Sequence, residues 1–133
     1  MLIGLLEDNP AIQEYLQTAL AFNDYRVSIH TFGISLLDAL FAGQSVQTSY
    51  PYDLVIIDLN LPEDLSGWDV ILHIRKTVPP EMLPIIVMSG VEQGQLERLQ
   101  NIFPDISFIQ KPFRLQILLQ MLETTSRKQR QEV

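Results

Sequence analysis

Four short apolar runs in this 133-residue chain each lead into polar residues of a kind that can do chemistry. Leu2–Leu6 runs into Glu7 and Asp8, Leu54–Ile57 into Asp58, Ile85–Met88 into Ser89, and Ile106–Ile109 onward to Lys111 and Pro112. Three carboxylates gathered in one place repel and raise one another's pKa unless a cation sits among them. An all-oxygen set with few protein ligands suits magnesium, which keeps several waters and takes further oxygens from a phosphate. Lys111 adds a fixed positive charge, and Ser89 a hydroxyl able to bond a phosphoryl oxygen. These are the groups of phosphoryl transfer: metal and ammonium neutralise the equatorial oxygens while a carboxylate, here Asp58, attacks in line. Asn60, two residues after that nucleophile, has no titratable group. An acyl phosphate on Asp58 is therefore expected to persist.

For these residues to meet, the runs must be neighbouring strands. Segments of helical period separate them. Asn9 then Pro10 reads as an N-cap followed by proline at the first helical position, with Ile12, Leu16, Ala19 and Leu20 on one face. Arg26–Phe32 alternates like a strand near an edge, and Gly33 opens a second helix carrying Leu36, Leu37 and Leu40. A Ser-, Gln- and Thr-rich loop spans Gly43 to Pro51, the expected place for variation and mobility. Trp68, Val70, Ile71 and Ile74 mark a third helix, Leu96, Leu99 and Ile102 a fourth, and a fifth is expected from about Phe113 to Thr124. Strands alternating with helices imply an α/β fold, a doubly wound five-stranded parallel sheet with right-handed crossovers. Such sheets bind ligands outside the carboxyl ends of their strands.

Composition excludes several classes. Net charge is −7, with 16 acidic against 9 basic residues, which argues against nucleic-acid contact, since that needs a basic face. The basic cluster Arg127, Lys128 and Arg130 falls in residues 125–133, expected to form a flexible tail after a domain spanning 1–124. With no cysteine there is neither a disulfide framework nor a thiolate metal site. No apolar run approaches the ~20 residues of a membrane span. Leu2–Leu6 is shorter than a signal peptide's apolar region of ~7–15 residues. A soluble, cytoplasmic chain without membrane contact is the expectation.

The segments LLEDN (5–9), LVIIDLNLP (54–62), IIVMSG (85–90) and IQKPF (109–113), in this order and spacing, resemble the defining blocks of response-regulator receiver domains. The likeness covers residues 2 to about 124. It implies a flavodoxin-like (βα)5 fold with strand order 2-1-3-4-5. It implies that Asp58 accepts a phosphoryl group, that Glu7, Asp8 and Asp58 hold magnesium (or manganese in its place), and that the Asn60 backbone carbonyl completes the protein ligands. Ser89 and Lys111 would contact the phosphoryl group, Phe108 would be the switch aromatic moving with Ser89, and the Lys111–Pro112 peptide would be cis. The implied partners are a sensor histidine kinase or histidine phosphotransfer protein, a downstream protein target, and a second copy in a homodimer. Such a domain is a signalling module that catalyses its own phosphorylation and slow dephosphorylation, rather than a conventional enzyme. Three departures bear on timing and output: five steps from Pro62 to Gly67 where four are usual, with Ser66 in place of a common acid; Pro104-Asp105 where Gly-Ala is usual; and Phe108 without a tyrosine's hydroxyl.

Each residue also has a plainer reading. Glu7 and Asp8 could solvate a loop at a helix start, Asp58 could close an Asx turn, Ser89-Gly90 could be an ordinary turn, and Lys111 could be merely exposed. His30 and His73 read as surface or internally satisfied residues, and Trp68 as a packing residue. A haloacid-dehalogenase-type phosphatase would carry its nucleophile on the first strand, with an acid where Asn60 stands. A flavodoxin-like nucleotide binder would open with a phosphate-cradling loop in place of Glu7-Asp8. A phosphate-independent pseudo-receiver acting as a docking module is the remaining alternative. In the last helix, Leu115, Leu118, Leu119 and Leu122 account for a core stripe. Ile117 and Met121 are left over as a docking or dimer surface.

Overall fold

The computed structural model describes residues 1–42, 50–59 and 65–131, with side chains through Arg127. Asn60, the loop 43–49 and the extra residue expected before Gly67 thus lie outside the described residues. Five strands alternate with five helices: β1 (Leu2–Leu6), α1 (Pro10–Ala21), β2 (Arg26–His30), α2 (Gly33–Phe41), β3 (Leu54–Asp58), α3 (Gly67–Thr77), β4 (Ile85–Ser89), α4 (Gln93–Ile102), β5 (Ile106–Gln110) and α5 (Leu115–Gln131). All strand pairs are parallel and the order is 2-1-3-4-5, as the resemblance implies. The central strands β3 and β4 are buried along their whole length, while the outer β2 and β5 are partly exposed. That contrast is why the inner runs read as continuously apolar.

Side chains alternate across the sheet into two cores. On one face Leu6, Val55, Ile57 and Val87 pack against Leu36, Leu40, Val70, Ile71 and Ile74 from α2 and α3. On the other, Ile3, Leu5, Ile56 and Met88 meet Leu16 and Leu20 of α1 and Leu118 and Leu122 of α5. Each of these fully buried aliphatic side chains contributes about 1.5–3 kcal/mol.

Local chemistry sets the helix ends nearest the site. The Asn9 side-chain oxygen accepts from the Ala11 and Ile12 N–H groups at 2.9 and 3.2 Å, with Pro10 inside the first turn. Ser66 and Asp69 cap α3 reciprocally, each side chain accepting from the other's backbone N–H at 3.1 Å. Gly67 follows because nothing larger fits. A Cβ there would lie 2.5 Å from the Asp58 carbonyl oxygen and 2.8 Å from the Leu59 Cα, so α3 begins directly on the backbone of β3.

Two ends differ from expectation. β2 stops at His30, two residues before Phe32. The last helix begins at Leu115 and continues to Gln131, so helical backbone runs over 125–131 where a tail is expected. No glycine or proline follows Pro112 to end it. Glu123 and Arg127 pair at i, i+4 across 3.1 Å, and the Thr125 hydroxyl donates to the Met121 carbonyl at 2.9 Å.

Candidate functional site

The carboxyl ends of β1, β3, β4 and β5 bring the expected residues to one edge. In register, Asp58 lies opposite Met88 of β4, and Ser89 opposite Gln110 of β5. Glu7 and Ser89 are fully buried and Asp58 is only 2% exposed, whereas Asp8 is half-buried. One carboxylate oxygen from each of Glu7, Asp8 and Asp58 lies within 4.8 Å of the others. The Lys111 ammonium reaches in from beyond β5 to donate to Glu7 Oε1 at 2.9 Å and Asp58 Oδ2 at 3.0 Å. The Lys111–Pro112 peptide is cis, as the resemblance implies.

The electrostatics follow from this crowding. Burial pushes the Glu7 carboxyl above its ordinary value; Lys111 and the Asn9 N–H pull it down without cancelling the rise, and Asp58 adds to it. Burial alone would lower the Lys111 pKa, but the bonds and charges of Glu7 and Asp58 outweigh it and hold the ammonium's pKa above its ordinary value. Three carboxylates against one ammonium leave two negative charges at one edge.

That residue set fits a hard divalent cation. All donors are oxygens, and their formal excess charge matches the ion's. Glu7, Asp8 and Asp58 are the described residues that could hold it. The Asn60 carbonyl, expected as a fourth protein ligand, falls outside the described residues.

Supporting groups hold Glu7 in place. Its Oε2 accepts from the Asp8 and Asn9 N–H groups at 3.0 and 3.2 Å, its own N–H donates to the His30 carbonyl, and its carbonyl accepts from Gln13 Nε2 at 2.5 Å. The same Gln13 amide lies 3.2 Å from Thr31 Oγ1. Nothing in the residue type marked Gln13; its helical position became informative only once the Glu7 turn was placed.

The remaining expected residues fall as follows. Phe108 is half-buried beside Trp68, ring centroids 6.3 Å apart, and Trp68 in turn sits 5.2 Å from Phe103. Trp68 is thus a packing residue of the face that carries Phe108. Ile117 is 45% exposed, while Met121 is half-buried and packs against the core between the sheet and α1 and α5. Leu118 and Leu122 are fully buried; Leu115 and Leu119 are only half so. His30 is buried and internally satisfied, its ring nitrogens 2.7 Å from the Ser35 hydroxyl and 2.6 Å from that of Tyr52, and His73 is exposed beside Phe41.

A family model described as the response regulator receiver domain matches residues 3–123. The chain belongs to that family. This receiver is 28% identical over 132 residues to the cell cycle response regulator CtrA of Brucella ovis, covering 96% of this chain and 51% of that protein. It is 27% identical over 122 residues to a probable cyclic di-GMP phosphodiesterase of Vibrio cholerae, covering 92% of this chain and 26% of that one. The chain therefore spans about half and about a quarter of the length of these curated relatives. Among solved structures, the non-phosphorylated HemR receiver domain of Leptospira biflexa matches at 30% identity and a TM-score of 0.73, covering 93% of this chain and 92% of that one. Receivers serve two-component signalling, engaging histidine kinases and downstream targets and binding magnesium at an acidic cluster. No helix among the described residues is long and apolar enough to cross a membrane.

Proposed function

We propose that this receiver is a phosphoacceptor: a phosphoryl group passes from a phosphohistidine of a sensor kinase or phosphotransfer protein to Asp58, and the modified domain changes its protein contacts. The observation that carries this reading is the Lys111 ammonium within 3.0 Å of both Glu7 and Asp58, with Asp8 completing the acid cluster. In the step itself, a bond forms between an Asp58 carboxylate oxygen and phosphorus while the donor's N–P bond breaks. The leaving imidazole nitrogen takes up a proton. Lys111, already held at Asp58, shifts toward the incoming phosphoryl oxygens and offsets their charge, and Ser89 donates its hydroxyl to another of them. Glu7, Asp8 and Asp58, with the Asn60 carbonyl that the resemblance implies, would hold magnesium or manganese, and the ion would supply Lewis acidity for the transfer.

Output would pass through the face formed by α4, Phe108 and the exposed Ile117, with Met121 at its margin, toward a downstream protein or a second copy. A relay of this kind operates in the cytoplasm. Intact-mass measurement after treatment with acetyl phosphate tests the central reading. One phosphoryl group should add only in the presence of magnesium and only when Asp58 is intact. Labelling of an Asp58→Asn variant, or equal labelling in EDTA, overturns it. Ile117→Glu should weaken phosphate-dependent association while leaving Asp58 labelling intact.

A further inference from the structure

Two hydrogen bonds stitch the turn after β4 to the end of β5, and a third lies within the turn. The Lys111 N–H donates to the Ser89 carbonyl at 2.7 Å, the Gln110 side-chain amide donates to the Val91 carbonyl at 3.0 Å, and the Val91 N–H donates to the Ser89 hydroxyl oxygen at 3.2 Å. Little else holds this turn. Glu92, at the N-cap of α4, makes no side-chain cap bond, Gly94 offers nothing to pack, and Leu96 is the one buried residue of the helix. Ordering a long amide side chain costs about as much as one hydrogen bond returns, so stability alone gives the Gln110 contact little reason. Its effect is geometric.

We propose that Gln110 is a positioning residue for phosphoryl transfer to Asp58. It anchors Val91 by its carbonyl, on the far side of the Val91 Cα from the N–H that bonds the Ser89 oxygen. With the backbone of Val91 so held, that N–H fixes the oxygen and leaves the Ser89 hydroxyl hydrogen for a phosphoryl oxygen. A small hydroxyl rotates through several orientations when free, and a donor already aimed costs no reorganisation when charge arrives. The Val91 bond occupies one lone pair of that oxygen, and Gln110 keeps the bond in place. Glutamine suits the task because its amide reaches across from β5 and donates without adding a charge beside Lys111. The proposal rests on the phosphoacceptor reading of Asp58.

The test uses the full chain with magnesium and acetyl phosphate, following the labelling rate by intact mass. Gln110→Met keeps the length but cannot donate. It should label about fivefold more slowly, the loss expected for one hydrogen bond, with magnesium affinity by calorimetry and melting temperature unchanged. Gln110→Ala, which adds no bulk, should lose as much. In a Ser89→Ala background, Gln110→Met should have no further effect, because the two act as one unit. An unchanged rate in Gln110→Met, or the same fold-loss with and without Ser89, overturns the proposal while the phosphoacceptor reading stands. Failure of the unsubstituted chain to label at Asp58 overturns both.

Discussion

Two polar clusters touch inside this receiver and are built on opposite terms. In the first, His30 joins Ser35 at 2.7 Å and Tyr52 at 2.6 Å, and the Tyr52 hydroxyl donates onward to Ser28 at 3.0 Å. Burial pushes the His30 pKa down, so the ring stays neutral and both its nitrogens are spent. In the second, Glu7 and Asp58 share one ammonium with Asp8 beside them, a formal excess of two negative charges. The clusters meet where the Glu7 N–H donates to the His30 carbonyl at 3.1 Å. A closed network of neutral groups rigidifies a core. One with negative charge left over asks for a cation. Burial alone therefore does not distinguish a structural polar cluster from a working one; the charge left over does.

The sharpest way to break this contrast is to remove the shared cation. Lys111→Met should slow phosphorylation of Asp58 by acetyl phosphate by ~100-fold or more, the scale of losing one aimed electrostatic donor. A rate within a few-fold of the unsubstituted chain would mean that the second cluster works without its ammonium. The first cluster should answer in stability instead. Tyr52→Phe strands the His30 ring and Ser28, and should cost about 1–3 kcal/mol in urea unfolding while leaving the phosphorylation rate nearly unchanged. Equal stability in the two proteins would deny the network its structural role.

Acidification should separate the clusters by sign. His30 has a folded pKa below its ordinary 6.5. The unfolded chain therefore takes up its proton first, and stability falls as pH drops below 6.5, by up to about 1.4 kcal/mol per unit until the folded pKa is reached. Glu7 has a folded pKa above its ordinary 4.5. Its protonation as pH falls through that folded pKa therefore returns stability in magnesium-free buffer. His30→Gln should flatten the first slope and Glu7→Gln the second; profiles unmoved by either substitution would show that neither group sets the acid response. The smallest effect concerns water at the open cluster. Half-buried Val91, two residues after Ser89, presents an apolar branched side chain. Val91→Gln should shorten the lifetime of phosphorylated Asp58 a few-fold by giving water a polar partner, read by the decay of the added mass. An unchanged or longer lifetime would place control of water elsewhere.

The residues of the charged cluster were legible because each interrupts an apolar run at the point where a strand must end. The alternation of strands with helical stripes likewise predicted the layers. Strand order came only through resemblance, since no local pattern says which strand lies beside which. The neutral cluster was not legible. His30 and Tyr52 stand 22 residues apart, and only packing against Gly4, where a Cβ would sit 2.6 Å from the Tyr52 ring, brings that tyrosine inward. Gln110 and Gln13 were equally silent, because a glutamine's task depends on which carbonyl happens to lie within reach. The end of α5 was misplaced for another reason: a polar, basic composition suggested fraying, yet the helix contains nothing that breaks it.

The contact among Trp68, Phe103 and Phe108 has a practical consequence. Trp68 is the chain's one tryptophan, and it lies where the start of α3, the end of α4 and β5 converge. Fluorescence excited at the red edge of indole absorption therefore comes from a single site, with no dye attached. Phe108 forms part of that indole's surroundings, so a rotation of its ring changes the local polarity and shifts the emission. The protein carries its own optical gauge at the face proposed to signal, and a stopped-flow trace with acetyl phosphate would time that face directly.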